Sequence, residues 1–396
     1  MFTYKKGSYA QMKIVCKKST LLNGVQIVSK AVPSKTTMSI LECILIDVRN
    51  GEIKLAAKDM ELGIETRIEG EVIEKGMIAL DAKIFLEIVR KLPDSNIKIE
   101  TDSSLKTTIT CEKAKFNIIG KSGEDFSYLP LIERNDSVVV SQFTLKEIIR
   151  QTIFSIADND NNRLMTGELF EIDEDTLKVV SLDGHRISIR KIGLKDTYAP
   201  RKIVVPGKTL SEISKILSGD TDKDVNIFFT DNHILFEFDN TIVVSRLIEG
   251  EYFRIDQMLS SDYETKVRIN KKEFLNCIDR ATLLVKEGDK KPVIINITDE
   301  AMELKMNTII GSMDEEIDIV KNRLNIESGS SRQYRNTAFG INCPQGFSGK
   351  RLKPDDMELF DRFQYIDQIM GNALHFIPRD FSGPDIHMPV YLHRIR

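Results

Sequence analysis

The chain has 396 residues, of which 41% are hydrophobic and 29% charged, enough for two to four ordinary domains with real cores. Its formal net charge of −4 excludes a protein that coats nucleic acid through bulk positive charge, but leaves room for one basic surface on an acidic molecule. No apolar run approaches the roughly 18 residues of a membrane span, and the five cysteines (Cys16, Cys43, Cys111, Cys277, Cys343) are odd in number, scattered and free of any CxxC pair. These features predict reduced thiols, a cytoplasmic protein and no membrane association.

In chain order, residues 1–11 carry lysines but no apolar h-region, and read as a disordered N-terminal extension. The first domain is expected over 12–133. It starts with a strand at Met12 and continues with a helix over 20–32, where Leu21, Leu22, Val25, Val28 and Val32 fall at helical spacing before Pro33. Strands at 44–46 and 53–55 flank an Asn50-Gly51 turn, a strong hairpin signal. A second helix over 82–92 stops at Pro93, and strands follow at 97–99, 107–111 and 115–119.

The second domain, 134–258, has the same order. Its helices are expected over 145–157 and 209–217, and its strands at 168–172, 177–181, 186–190, 225–229, 234–238 and 241–246. The third, 259–396, begins with a strand at 266–269 and a helix over 272–284, then strands at 293–297, 302–306 and 315–320. Its tail, 321–396, is atypical. It holds five of the eleven prolines, a loop-like stretch rich in Ser, Gly and Arg, and one further apolar-periodic helix over 357–374.

These units are copies. Asp59 recurs as Asp183 after a period of roughly 124 residues, and Lys83, Glu87 and Leu92 recur as Lys208, Glu212 and Leu217. The fold class is therefore α+β, with repeated domains of two helices packed on antiparallel sheets. Copies arranged around an axis make a ring or an arc.

No motif points to catalysis. Asp183-Gly184-His185-Arg186 has no serine or cysteine nucleophile in a recognisable elbow, and a turn with Gly184 at its bend needs no chemistry. Asp158-Asn159-Asp160-Asn161-Asn162 is not a calcium loop, because Arg163 and Leu169 stand where glycine and glutamate belong. The histidines and cysteines have no metal-ligand spacing, and no phosphate-binding loop is present, so neither metal nor cofactor is expected.

The helices carry Lys30, Lys83, Arg90, Lys91, Lys146, Arg150, Lys208, Lys215, Lys272 and Arg280 at equivalent places. On one helix such charges are a solvated face. Repeated on helices turned toward a common axis, they would line a channel that attracts a phosphate backbone without reading bases.

With these residues in view, the chain resembles the bacterial DNA sliding clamp, the beta subunit of DNA polymerase III, over about 12–320. The resemblance is carried by Asp183-Gly184-His185-Arg186-Ile187, by residues 163–170, by Ile203-Val204-Val205-Pro206, by Leu247-Ile248-Glu249-Gly250, and by Gly123-Glu124-Asp125-Phe126 before Leu129-Pro130. It implies a non-catalytic processivity factor whose three-domain chains pair head to tail into a homodimeric ring around double-stranded DNA. Such a ring tethers the replicative DNA polymerase and repair proteins, and a clamp loader opens it.

The resemblance also implies a pocket for short apolar peptide motifs at Arg163, Met165, Leu182, Gly184, His185, Arg186 and Ile187, with Met388 and Pro389 as a terminal wall. The linker Tyr252-Phe253-Arg254-Ile255-Asp256 departs from the family's usual Phe-Pro-Asp-Tyr-like run. The dimer seam would set Phe116 and Ile118 against Leu283 and Leu284. A second reading stays open from the sequence: an interaction module that keeps the pocket but whose tail prevents ring closure.

Overall fold

The computed structural model describes residues 11–134, 137–157, 162–183, 187–258, 265–285, 290–298, 300–323, 337–342, 374–376 and 387–392. Residues 1–10 of the extension expected over 1–11, the polar run 158–161 and Gly184, His185 and Arg186 lie outside the described residues. So does the helix expected over 357–374, except that Leu374 opens a short strand.

The chain divides into two compact units, one of residues 1–150, 170–177 and 193–249, the other of 151–169, 178–192 and 250–396. In the first unit, β1 (Met12–Lys17) leads into α1 (Lys18–Val28), which buries Leu21, Gly24, Val25 and Val28. A 3-10 turn, Ser29–Ala31, takes up the rest of the helix expected over 20–32. Gly24 lets the helix lie close on its sheet, since a Cβ there would come within 2.6 Å of Ile68 Cγ2.

Next come β2 (Cys43–Asp47), β3 (Ile53–Lys58), β4 (Leu62–Ile68), β5 (Glu71–Glu74) and β6 (Met77–Asp81). Gly51, at φ +88°, supplies the left-handed residue of the hairpin turn. Asp81 caps α2 (Ala82–Lys91) by accepting from Ile84 N at 2.9 Å. β7 (Asn96–Thr101), β8 (Lys106–Cys111), β9 (Ala114–Ile119) and β10 (Lys121–Ser122) complete the first repeat.

The second repeat opens with β11 (Val138–Ser141) and α3 (Gln142–Thr152). This helix starts three residues before the expected 145, because Ser141 Oγ accepts from Thr144 N at 3.1 Å. It gives way to a 3-10 turn at Ile153–Ser155. β12 (Gly167–Leu182) and β13 (Ile187–Pro206) form a two-stranded sheet, where three separate strands were expected up to residue 190. Glu174, at φ +50°, sits in β12 between the two expected runs. The Tyr252 hydroxyl lies 3.5 Å from the Gly167 carbonyl and 3.4 Å from that of Val180, so the strand doubles back on itself there. α4 (Gly207–Ile216), β14 (Asp224–Phe229), β15 (His233–Phe238) and β16 (Thr241–Arg246) follow.

Two sheets organise the first unit, one in the order β5-β1-β7-β8-β9 and a nine-stranded one in the order β10-β6-β2-β3-β4-β16-β15-β14-β11. The larger sheet crosses from repeat to repeat through the antiparallel pair β4 and β16, in register from Leu62↔Ser245 to Thr66↔Thr241. Beyond the ladder, Arg246 N donates to Glu61 O at 2.8 Å and Arg67 N to Asn240 O at 3.0 Å. The Thr66 and Thr241 hydroxyls meet at 2.9 Å within the core.

The connecting segment straps the same join. Phe126 packs with Leu45, Ala56 and Met77, while Ile132 and Leu129 pack with Phe228, Leu235 and Val244. Gly63 makes room for Leu129, because a Cβ on Gly63 would sit 2.0 Å from Leu129 Cδ2.

In the second unit, α5 (Ile255–Met258) precedes β17 (Thr265–Asn270), α6 (Lys271–Thr282), β18 (Lys290–Ile297), β19 (Ala301–Thr308), β20 (Gly311–Arg323), β21 (Thr337–Asn342), β22 (Leu374–Phe376) and β23 (His387–Leu392). The sheet order is β21-β18-β19-β20-β17-β23-β22. Asn270 caps α6 by accepting from Lys272 N and Glu273 N. The helix buries Phe274, Leu275, Cys277, Ile278 and Ala281 among Val293, Met302, Leu304 and Met306. Cys16, Cys43, Cys111 and Cys277 are free and buried. Burial pushes the Cys16 and Cys277 thiols up to about 12, which keeps them protonated and inert.

Gly63→Ala is expected to destabilise the protein by about 1–3 kcal/mol by displacing Leu129. Adding Leu129→Ala should recover part of that loss, and urea denaturation of the single and double variants measures it.

Candidate functional site

Of the residues expected to form a peptide pocket, Arg163 and Met165 lie on a 3-10 turn, Arg163–Thr166, that runs straight into β12. Asn162 caps the turn by accepting from Leu164 N at 3.1 Å. Met165 is pinned at both backbone ends: its N–H donates to Asn162 O and its carbonyl accepts from Ala157 N at 2.8 Å. Arg163 is exposed and Met165 half-buried, whereas Leu182, at the far end of β12, is fully buried. Ile187 opens β13 half-exposed. Met388 and Pro389 lie in β23, paired with Ile269 and Arg268 of β17. Gly184, His185 and Arg186 are outside the described residues.

The Tyr252 hydroxyl gathers the two ends of β12, and so sets the turn bearing Met165 beside the strand end bearing Leu182. Tyr252 comes from the linker whose sequence departs from the family's usual run. Gly250, at φ +130°, brings that linker against Leu164, and a Cβ there would touch it at 3.4 Å.

Under this region lies a polar group that sequence reasoning missed. Glu168 is completely buried, and its Oε2 accepts from Thr152 Oγ1 at 2.9 Å. Its Oε1 has no hydrogen-bond partner among the described residues. Ser181 Oγ donates to Thr152 O at 2.5 Å, and the Ser155 and Ser188 hydroxyls meet at 2.6 Å. Burial drives the Glu168 carboxyl well above its usual range against the opposing hydrogen bond from Thr152, and so favours the protonated acid. Burial also raises the Tyr252 phenol, and the nearby Glu168 adds to that. The one available signal was a glutamate set among apolar neighbours in Gly167-Glu168-Leu169-Phe170.

The basic helix residues divide into two groups. Arg90 pairs with Glu87 at 2.6 Å, Arg150 with Glu147 at 2.7 Å and Lys215 with Glu212 at 2.8 Å. Arg280 pairs with Glu315, Lys208 with Asp59, and Lys146 Nζ donates to Leu217 O at 3.0 Å. Lys30, Lys83, Lys91 and Lys272 are exposed and make no ion pair among the described residues. Surface pairs of this kind contribute about 0–1 kcal/mol, so a phosphate can displace most of the partners at little cost. Lys208 is different. Burial lifts the Asp59 carboxyl, but Lys208 and the backbone N–H groups of Leu62 and Glu61 overcome that and hold it below its usual range. Of the expected seam residues, Phe116 and Ile118 lie on β9 at the edge of its sheet, and Leu283 and Leu284 just past α6.

Repeated α+β units fused edge to edge are the architecture of clamp proteins, and comparison with known proteins bears this out. A family model described as the DNA polymerase III beta subunit, N-terminal domain, matches residues 12–130, and one for its central domain matches 139–253. The beta sliding clamp of Staphylococcus epidermidis is 33% identical over 337 residues, 83% of this chain and 88% of that protein. A putative DNA polymerase III beta subunit from Eubacterium rectale has 60% identity and a TM-score of 0.81, covering 96% of this chain and 99% of that one. The DNA polymerase sliding clamp of Bacillus subtilis has 27% identity and a TM-score of 0.80 over 98% and 100% of the two chains. The chain belongs to the DNA polymerase III beta subunit family, the bacterial beta sliding clamps, and its function is that of a non-catalytic DNA sliding clamp.

Glu168 ionises near 4.5 in the unfolded chain and far higher in the fold, so the folded state holds the extra proton and stability falls as pH rises above that value. Glu168→Gln should therefore gain stability over the native protein as pH rises above the ordinary carboxyl range, and gain little at pH 4. Thermal melts of both proteins across that range check the sign.

Proposed function

We propose that two copies of this chain join head to tail into a ring that encircles double-stranded DNA, with α1 to α4, α6 and their basic residues turned inward. The observation that carries this reading is the β4–β16 ladder. It shows one repeat joined to the next edge to edge through a continuous sheet, and the same join repeated closes a ring. Inside the ring, Lys30, Lys83, Lys91 and Lys272 supply exposed positive charge, and the paired arginines and lysines exchange their carboxylates for phosphates. Binding is then topological and independent of sequence. A net charge of −4 leaves the outer surface unattractive to DNA. Work on the chromosome places the protein in the cytoplasm, and no helix among the described residues is long and apolar enough to cross a membrane.

The region of Arg163, Met165, Leu182 and Ile187, with Gly184, His185, Arg186, Met388 and Pro389, takes short apolar peptide motifs from the replicative DNA polymerase, the clamp loader and repair proteins. Half-buried apolar side chains on a turn pinned at both ends suit an anchor of this type. A sliding clamp of Pseudomonas aeruginosa, 19% identical with a TM-score of 0.76, has been crystallised bound to griselimycin, which fits a ligand-binding pocket on this fold. The ring-incompetent reading has less in its favour, since structural likeness to the Eubacterium rectale protein extends over 96% of the chain.

After loading by a clamp loader, the protein should co-elute with nicked circular DNA and be lost when that DNA is linearised. Equal retention on both forms would overturn encirclement. Lys83→Glu combined with Lys91→Glu should reduce retention on circles by about tenfold. Met165→Ala with Ile187→Ala should weaken griselimycin binding at least about tenfold while leaving the solution mass unchanged, and undiminished affinity would reject the pocket.

A further inference from the structure

The first and second repeats share one frame. Lys18–Val28, Ser29–Ala31 and Ser39–Glu42 recur at a constant offset as Gln142–Thr152, Ile153–Ser155 and Arg163–Thr166, and Cys43 at the head of β2 becomes Gly167 at the head of β12. In that frame Val28, Ala31, Ile44, Ala57 and Ile64, all buried, correspond to Thr152, Ser155, Glu168, Ser181 and Ser188, which are buried as well. One repeat fills this part of its core with hydrocarbon, and the other fills the same places with hydroxyls and a carboxyl. The linkers change in the same sense. Phe126 packs on Ala56, whereas the Tyr252 hydroxyl lies 3.4 Å from the carbonyl of Val180, the counterpart of Ala56.

The polar set is the less stable way to fill that space. Buried polar groups lose water and need hydrogen bonds in return, and Glu168 Oε1 has no partner among the described residues. What hydrogen bonds add over hydrocarbon is a fixed distance and direction. Here each bond runs to a segment that carries a residue of the proposed peptide site. Thr152, the last residue of α3, donates to Glu168, just after Met165, at 2.9 Å. Ser181, beside Leu182, donates to the Thr152 carbonyl at 2.5 Å. Ser188, beside Ile187, lies 2.6 Å from Ser155 in the turn that follows α3.

We propose that Glu168 is a positioning residue for the partner-peptide site: with Thr152 it ties the end of α3 to the foot of β12, and so holds the turn bearing Arg163 and Met165 beside the strand ends bearing Leu182 and Ile187. This rests on the peptide site proposed above and names what sets its geometry. The first repeat gives the contrast. There the counterpart of Ile187 is Gly63, and the chain's own Leu129 fills the space over it, since a Cβ on Gly63 would sit 2.0 Å from Leu129 Cδ2. A join filled permanently from within needs no directional ties. A site that receives a foreign side chain and releases it again has to keep its shape when empty.

The tie depends on a proton. Burial raises the Glu168 carboxyl well above its usual range, and among the described residues the Thr152 hydrogen bond alone opposes this. The titratable group facing it is the Tyr252 phenol of the linker, itself raised by burial and by Glu168. Arg150, earlier on α3, is paired with Glu147 at 2.7 Å. Ionised, Glu168 would have one hydrogen bond and no counter-charge among the described residues, and would draw water in at the foot of β12. The tie is therefore made at low pH and lost as pH rises through the raised value.

Calorimetric titration of the full chain with griselimycin, together with amide hydrogen exchange over residues 163–166, tests this. Giving the second repeat the apolar set of the first (Thr152→Val, Ser155→Ala, Glu168→Ile, Ser181→Ala and Ser188→Ile) should raise the melting temperature, yet weaken griselimycin about tenfold and quicken exchange over the turn. A merely structural cluster would move stability and affinity together. In the native protein the affinity should fall about tenfold between about pH 6 and about pH 9, while Glu168→Gln, which keeps an acceptor for Thr152 and cannot ionise, should show no such slope. Undiminished affinity in the apolar exchange, or parallel pH profiles for the native protein and Glu168→Gln, would overturn the positioning role. Circular dichroism identifies an apolar variant that has failed to fold, and the Glu168→Gln comparison decides the question without it. Native protein that binds no griselimycin at either pH would instead remove the peptide site itself, a failure distinct from that of the tie.

Discussion

The structure depends on one constraint: an antiparallel sheet edge must be either paired or protected. Each repeat presents such edges, and the chain resolves one of them internally by running β16 along β4. That ladder turns two domains into one nine-stranded sheet, and the strap from Phe126 to Ile132 packs across the same join. Asp59 and Lys208 close it with an ion pair at the hairpin tip. A join made of backbone hydrogen bonds, apolar packing and one ion pair fixes both register and angle, as a hinge between separate domains would not.

The same constraint links fold to function. A topological clamp has to be stiff within each chain and openable between chains, and it needs repeated surfaces that add up around an axis. In the proposed ring, internal repetition meets all three needs with one kind of join, the edge-to-edge ladder seen between β4 and β16. The basic charge proposed to face DNA is equally economical. Arg90, Arg150 and Lys215 hold carboxylate partners on their own helices, weak pairs of the kind that a phosphate can displace. In the proposed ring, DNA slides past a field of exchangeable contacts with no base-specific anchor.

Glu168 is a local cost inside this plan. A carboxylic acid with one unmet oxygen sits below the region assigned to partner peptides and is held by Thr152 near Tyr252 and Ser181. Protonated, it acts as a polar packing element where an apolar residue would cost less. The Tyr252 hydroxyl nearby ties the ends of β12 to the linker that follows the second repeat.

The sequence by itself determined the class of fold, the repeat, the hairpin at Asn50-Gly51 and most helix and strand positions, because these follow from local periodicity and turn chemistry. It also carried the family signatures, which are short and contiguous. It misplaced the start of α3, whose cap at Ser141 depends on a side-chain hydrogen bond, and it gave no warning that Glu168 is buried and protonated. The pairing of β4 with β16, the fit of Leu129 over Gly63, and the gathering of both ends of β12 by Tyr252 were decided only in three dimensions. Each joins residues far apart along the chain, where hydrophobic period and propensity are silent and only the packed fold sets which edges and faces meet.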